Sequence, residues 1–192
     1  GLIFLRPDLI PSEYCNELFY LLEDVKPFDR GGVDKIFNEE FGKSANAMFK
    51  QFKFDPIGSA SFGQVHEAYL KTGQKVAVKI QRPEIQAIVA RDIFLMKVFA
   101  KVLDAFMFSS NKLTNSVNEF EMWTNEELDY VKEAEYTQEF YNKTKNQYNR
   151  IKAPRVYGKF TSKRIITQEF IEGFTIAKYL QARRNKDKSH DI

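Results

Sequence analysis

Pro56-Ile57-Gly58-Ser59-Ala60-Ser61-Phe62-Gly63-Gln64-Val65-His66, followed after a short gap by Val76-Ala77-Val78-Lys79-Ile80, is the stretch whose reading decides the fold. Residues 51–57 alternate loosely, small residues fill a turn at 58–63, and 64–70 and 75–81 read as strands joined by Lys71-Thr72-Gly73-Gln74. The turn is a glycine-rich loop in which Ala60 stands at the middle glycine of GxGxxG. Small residues let backbone N–H groups come close to an anion such as a phosphate. Taken alone, such a loop is more often a plain hairpin turn. In the strand that follows, alternation puts Val76, Val78 and Ile80 on one face and Ala77 with Lys79 on the other. A lysine beside a small residue, facing the loop, can reach phosphates as a point charge. The bland alternative is an exposed lysine on a half-buried strand.

Downstream, Pro83 ends the strand and opens a long helix over about residues 84–108. Only Lys97, Lys101 and Asp104 interrupt its apolar second half, so it is expected to bury most of its surface inside the domain. Those charges and the length of the apolar run, Ile93 to Phe108, argue against a membrane span; part of the Phe-rich face remains a candidate contact for lipid or a partner. After Ser109 to Thr114 a second long helix is expected over roughly 115–145, with Phe120 and Trp123 read as core. It carries three candidate acidic partners for Lys79, namely Glu127, Asp129 and Glu133. At about 100° per residue Asp129 and Glu133 share a face and Glu127 lies roughly 120° from Glu133, so the three cannot serve one ion pair equally. An acidic solvated helix face is the bland reading. Beyond Pro154, Arg155–Lys159 and Arg164–Phe170 alternate as a hairpin that Glu172-Gly173 ends, and a helix is expected from Thr175 into the basic tail.

Upstream, residues 7–50 read as short helices, one opening at Pro11-Ser12. Another follows Gly31-Gly32, with Val33, Ile36, Phe37 and Phe41 on one face and Gly42 as its stop. The chain has 192 residues, 43% hydrophobic and 29% charged, which fits a packed fold and not a disordered chain. Its 29 basic and 26 acidic residues are mixed, giving +3, which argues against a nucleic-acid partner. Cys15 is the only cysteine, so an internal disulfide is excluded and a reducing compartment is expected. His66 and His190 are too few for a histidine-based site, and His66 reads as a packing or hydrogen-bonding residue. The short apolar stub Gly1–Leu5 runs into Arg6-Pro7-Asp8, so the chain is expected to begin mid-protein.

Pro56 to His66 with Lys79-Ile80-Gln81-Arg82-Pro83 closely resembles the UbiB (ADCK) family of atypical protein-kinase-like proteins. Arg6-Pro7-Asp8-Leu9, Glu127-Leu128-Asp129-Tyr130 with Glu133-Ala134, and Pro154-Arg155-Val156-Tyr157 with Glu169-Phe170-Ile171-Glu172-Gly173 extend the likeness over nearly the whole chain. The resemblance implies an α+β fold, a protein-kinase-like N-lobe with a small antiparallel sheet and long helices, its C-lobe absent or truncated. Residues 1–50 would be a family-specific helical extension, 51–173 the N-lobe with two long inserted helices, and 174–192 the start of the C-lobe and a basic tail. It implies ATP or ADP with Mg2+ under the loop Gly58, Ser59, Ala60, Ser61, Phe62 and Gly63. Lys79 would be the nucleotide lysine and Glu133 its helix partner. Glu127 and Asp129 would form the family's ExD pair, and Glu169 to Ile171 the hinge that receives adenine through backbone groups.

This chain departs from the family at two places. Gly58 stands where the family's loop usually has alanine, which bears on the preference between ADP and ATP. A KxGQ motif would precede Arg6, where Gly1 is followed by Leu2, so none of it is assigned. The chain also holds no HxDxxxxN-like catalytic loop and no DFG-like metal aspartate, so no catalytic or metal residue is assigned and this segment is not expected to transfer phosphoryl groups by itself. The expected role is the nucleotide lobe of an atypical kinase or ATPase supporting coenzyme Q or isoprenoid-lipid metabolism. The alternative is a non-catalytic nucleotide- or lipid-binding scaffold in a membrane-associated assembly. Expected partners are the nucleotide, an isoprenoid lipid, a membrane surface and coenzyme Q biosynthesis proteins. The expected location is the matrix side of the mitochondrial inner membrane, with plastid or bacterial cytoplasm as the alternative.

Overall fold

The structure, a computed structural model, describes residues 26–106, 112–145 and 151–173. The helices expected from Pro11-Ser12 and from Thr175 lie outside the described residues. The first helix among the described residues is α1, Arg30–Phe41, followed by the short helix α2, Ala45–Met48. Asp29 caps α1 by accepting from the Gly32 amide at 2.9 Å. Gly42 ends it in the left-handed region, φ 64°, with its amide donating to Asn38 O.

The strands β1, Gln51–Phe52, β2, Gly58–Ser59, β3, Gly63–Tyr69, β4, Lys75–Gln81, and β5, Ile165–Glu169, form one antiparallel sheet. The order is β1-β3-β4-β5, with β2 paired to β3 where the glycine-rich loop turns. Gly73, at φ 94°, closes the β3–β4 hairpin. Its register sets Val65 opposite Lys79 and His66 opposite Val78. Directly opposed residues share a sheet face, so β3 and β4 each show one face to either side.

On the first face Val76, Val78, Ile80, Ala68 and Ile165 join Val33, Ile36 and Phe37 of α1 in a buried core. Phe37 meets Phe49 and Phe52 edge to face, with centroids 6.0 and 5.7 Å apart, an arrangement that adds about 1 kcal/mol per pair beyond burial. His66 is fully buried on this face, its Nδ1 2.9 Å from Lys53 O and its Nε2 2.9 Å from the Gln64 amide nitrogen. It therefore packs and bonds, as the sequence predicts.

On the second face the helices depart from expectation. The long helix α3 spans Ile85–Phe106, but the stretch at 115–145 is two helices, α4, Lys112–Glu127, and α5, Tyr130–Thr144. Asp129 makes the break, since its carboxylate accepts from the amides of Val131 and Lys132 and so caps α5. Nor does α3 bury most of its surface. A seam of Ile93, Ala100 and Asp104 is buried, while Phe94, Leu95, Val98, Phe99, Val102, Leu103 and Phe106 are exposed among the described residues. A helix packed chiefly on a single neighbour can bury only one stripe. Phe120 and Trp123 on α4 are likewise exposed and not core. Asp104 joins the two helices by accepting from the Leu113 and Thr114 amides, capping α4 from α3. No helix of the described residues is long and apolar enough to cross a membrane.

The arm 155–159, expected as a strand, pairs with β5 only at the bridge Val156–Gln168 and then coils into a 3-10 turn at Gly158–Phe160. Thr167, buried on β5, explains this: its hydroxyl donates to Phe160 O at 2.7 Å and draws the arm inward.

Candidate nucleotide site

Lys79 leaves the second face of β4 and its Nζ lies 2.7 Å from Glu133 Oε2, in the first turn of α5. Of the three candidate carboxylates, the structure brings this one to the lysine. Both partners are partly solvated, with side-chain exposures of 31% and 37%, so the pair contributes little to stability, about 1 kcal/mol or less. Its consequence is positional, because it holds a cation at one point on the face of the sheet, opposite Val65 of the strand that leaves the loop. The ammonium also sits 4.4 Å above the Tyr130 ring centroid. Tyr130 is fully buried against Ile166 and Ala134, so it gives the lysine a fixed apolar base. Burial pushes the Tyr130 phenol upward, and the negative charges of Glu133 and Glu127 add to that.

Glu127 and Asp129 do not join this pair. Glu127 is the exposed last residue of α4, and Asp129 is spent on capping α5. Glu133 is thus set apart from Glu127 and Asp129 by the helix break at Asp129 and not by the angle along a continuous helix. The cap itself matters to the site, since it fixes the start of the helix that presents Glu133.

Above the lysine, Gly58 and Ser59 pair with Val65 and Gln64, and the Ala60 amide donates to Gly63 O at 2.8 Å. Ala60 and Ser61, at the tip, are exposed, and Phe62 is half-buried. Gly63 lies so close to β4 that a Cβ there would sit 2.4 Å from Ile80 O and 3.0 Å from the Tyr130 hydroxyl. Glycine is thus required at this point by close approach. A Cβ on Gly58 would meet nothing within 4 Å. The structure has room for an alanine there.

Glu169 and Ile171 lie at and just past the end of edge strand β5. The Glu169 carboxylate takes Lys152 at 2.6 Å, which lowers its pKa, and Ile171 is exposed. The Glu169 amide donates to Arg155 O and the Phe170 amide to Lys75 O. Three residues that the motifs contain but to which the sequence assigns no role complete the surroundings. Val65 stands opposite Lys79, next to Ala77, giving the second face an apolar patch. Gln81 donates through Nε2 to Leu128 O at 2.6 Å, tying β4 to the break between α4 and α5. Arg82, quoted in the sequence only as part of the Lys79–Pro83 segment, reaches back to the loop.

Charged lysine, close-approach loop and apolar patch fit a nucleotide's phosphates and base. The described residues contain no cluster of three or more His, Cys, Asp or Glu that could hold a metal ion.

Known proteins agree with this architecture. The ABC1 atypical kinase-like domain matches residues 20–192. The chloroplastic protein ACTIVITY OF BC1 COMPLEX KINASE 1 of Arabidopsis thaliana is 38% identical over 173 residues, covering 88% of this chain and 25% of the relative. AarF domain-containing protein kinase 1 of Gallus gallus is 34% identical over 165 residues, covering 86% and 31%. A solved structure, the complex of Rv3197 with erythromycin from Mycobacterium tuberculosis, superposes with a TM-score of 0.72 at 28% identity, covering 91% of this chain and 44% of that one. Cyanobacterial proteins of Synechocystis also match. The chain spans a quarter to under a half of the lengths of these relatives. With the profile covering most of its length and the kinase-like N-lobe in place, the chain belongs to the ABC1 atypical kinase-like family, which bears out the UbiB resemblance.

Proposed function

We propose that this lobe binds ATP or ADP, with magnesium carried on the phosphates, for a UbiB-type atypical kinase or ATPase. The observation that carries the reading is the 2.7 Å Lys79–Glu133 pair, whose lysine rests on the same Tyr130 that backs Gly63 at the end of the glycine-rich turn. Lys79 would neutralise phosphate oxygens, Glu133 would hold the lysine at the right height, and loop amides would close over the anion. Val65 and Ala77 offer an apolar surface for the base, with backbone groups at Glu169 to Ile171 at its edge.

Support for coenzyme Q or isoprenoid-lipid metabolism comes from family likeness alone, and we carry it as the setting in which the nucleotide cycle operates. The exposed apolar side of α3 favours the membrane-associated assembly proposed with it. The chloroplastic and cyanobacterial relatives make a plastid or bacterial location as compatible as the mitochondrial inner membrane. The test is calorimetric titration of the full-length protein with Mg–ATP and Mg–ADP. Lys79→Ala is expected to weaken both by at least tenfold, about 1.4 kcal/mol. Glu133→Gln should do the same to a lesser degree. Equal affinities in parent and Lys79→Ala would refute nucleotide binding at this site.

A further inference from the structure

Arg82 lies on the opposite face of the sheet from Lys79, just beyond the end of β4. Its backbone N–H donates to Phe62 O at 2.9 Å, its Nε to Ala60 O at 3.1 Å and its Nη2 to Ser59 Oγ at 3.1 Å. The same Nη2 donates to Lys26 O at 2.9 Å. One residue therefore grips the glycine-rich loop at three points and a distant stretch of chain at a fourth. No carboxylate pairs with this guanidinium among the described residues. Burial lowers its pKa, but an arginine remains charged at neutral pH.

A second connection reaches the same stretch independently. Gln64, which pairs with Ser59, donates through Nε2 to Phe28 O at 3.2 Å and accepts from the Phe28 amide at 3.0 Å. Its amide is in turn held 2.9 Å from His66 Nε2. Residues 26–28 thus form a strap bound on one side to the loop's arginine and on the other to the strand that leaves the loop.

Resting on the nucleotide reading above, we infer that Arg82 is a positioning residue that sets the height of the loop over Lys79 and couples it to the strap at Lys26–Phe28. A planar guanidinium can serve Ser59, Ala60 and Lys26 together, and a lysine ammonium cannot reproduce that fork. Nucleotide closing the loop would order the strap, and chain displaced at the strap would loosen the loop.

The experiment uses the full-length protein with Mg–ADP and Mg–ATP as probes. In the parent, Mg–ADP is expected to slow amide exchange in both 58–63 and 26–29. Arg82→Lys, which keeps the charge, should lose that protection at 26–29 and bind nucleotide roughly tenfold more weakly, with a melting temperature in the absence of nucleotide close to the parent's. Ser59→Ala, removing one acceptor, should show the same change in smaller degree. Lys79→Ala serves as the reference. If it binds like the parent, the nucleotide reading itself fails; if it loses binding while Arg82→Lys binds like the parent, the role of Arg82 is overturned. Absence of protection at 26–29 in the nucleotide-bound parent overturns the coupling, whatever the variants do.

Discussion

Gly63→Ala and Gly58→Ala, two identical changes five residues apart in one loop, should behave very differently. A carbon and a carbonyl oxygen pack no closer than about 3.3 Å, so the 2.4 Å approach of a Cβ at position 63 to Ile80 O leaves it nearly 1 Å short. The obstructing atom is backbone of the central strand β4, held in the ladder with β3, and the next nearest is the hydroxyl of fully buried Tyr130. Neither can swing aside, so strand and loop must separate. Overpacking of this kind costs about 2–3 kcal/mol. That corresponds to a fall in melting temperature of roughly 5–10 °C for a domain of this size. At Gly58 nothing lies within 4 Å and φ is not positive, so alanine should change stability by about 0.5 kcal/mol or less. Thermal and urea unfolding of both variants beside the parent measure this directly. Equal stability of Gly63→Ala and Gly58→Ala would refute the claim that the loop closes against Ile80 and Tyr130. Nucleotide titration adds a second reading, since Gly58→Ala is then a clean test of whether that position shifts the preference between ADP and ATP.

Burial lowers the pKa of His66 against the opposing pull of the Lys53 carbonyl and Asp55, so unfolding takes up a proton below about pH 6.5. Stability should therefore be complete above that pH and fall as pH drops toward the folded-state value, by at most about 1.4 kcal/mol per unit; a His66→Gln variant that keeps the same pH slope would show the histidine is not its source. Asp129→Ala removes the α5 cap and should cost about 1 kcal/mol in urea unfolding, with weaker nucleotide binding because Glu133 starts from a frayed turn; unchanged affinity would separate the cap from the site. The Tyr130 hydroxyl is buried without a hydrogen-bond partner among the described residues, so Tyr130→Phe should leave stability unchanged or raise it by about 1 kcal/mol, and a loss of that size would reveal a partner for the hydroxyl.

The sheet and its loop were legible because their signals are local. Alternation in Val76 to Ile80 and Gly73 at the turn specify a hairpin and its faces, and Val33, Ile36 and Phe37 repeat at helical spacing. The helical half was less legible. Residues 115–145 contain no glycine or proline to mark the break, and Asp129 reads as readily within a solvated face as at a cap. The apolar run in α3 reads as buried, because hydropathy records what a surface prefers and not whether the rest of the fold can cover it. Among the described residues the seam with α4 covers only a stripe.

Arg82 shows where motif reading stops. In the sequence it stands only as one letter of the Lys79–Pro83 segment, since its partners lie 20 to 56 positions away and none of them is a side-chain carboxylate. Backbone acceptors leave no mark in a sequence, whereas the ion pair of Lys79 with Glu133 joins two residue types that advertise themselves. The lysine and the glycine-rich loop are the features on which the proposed nucleotide site rests. What holds that loop at its height over the lysine is a guanidinium satisfied chiefly by carbonyl oxygens, so the control of such a site emerges only when the chain is folded.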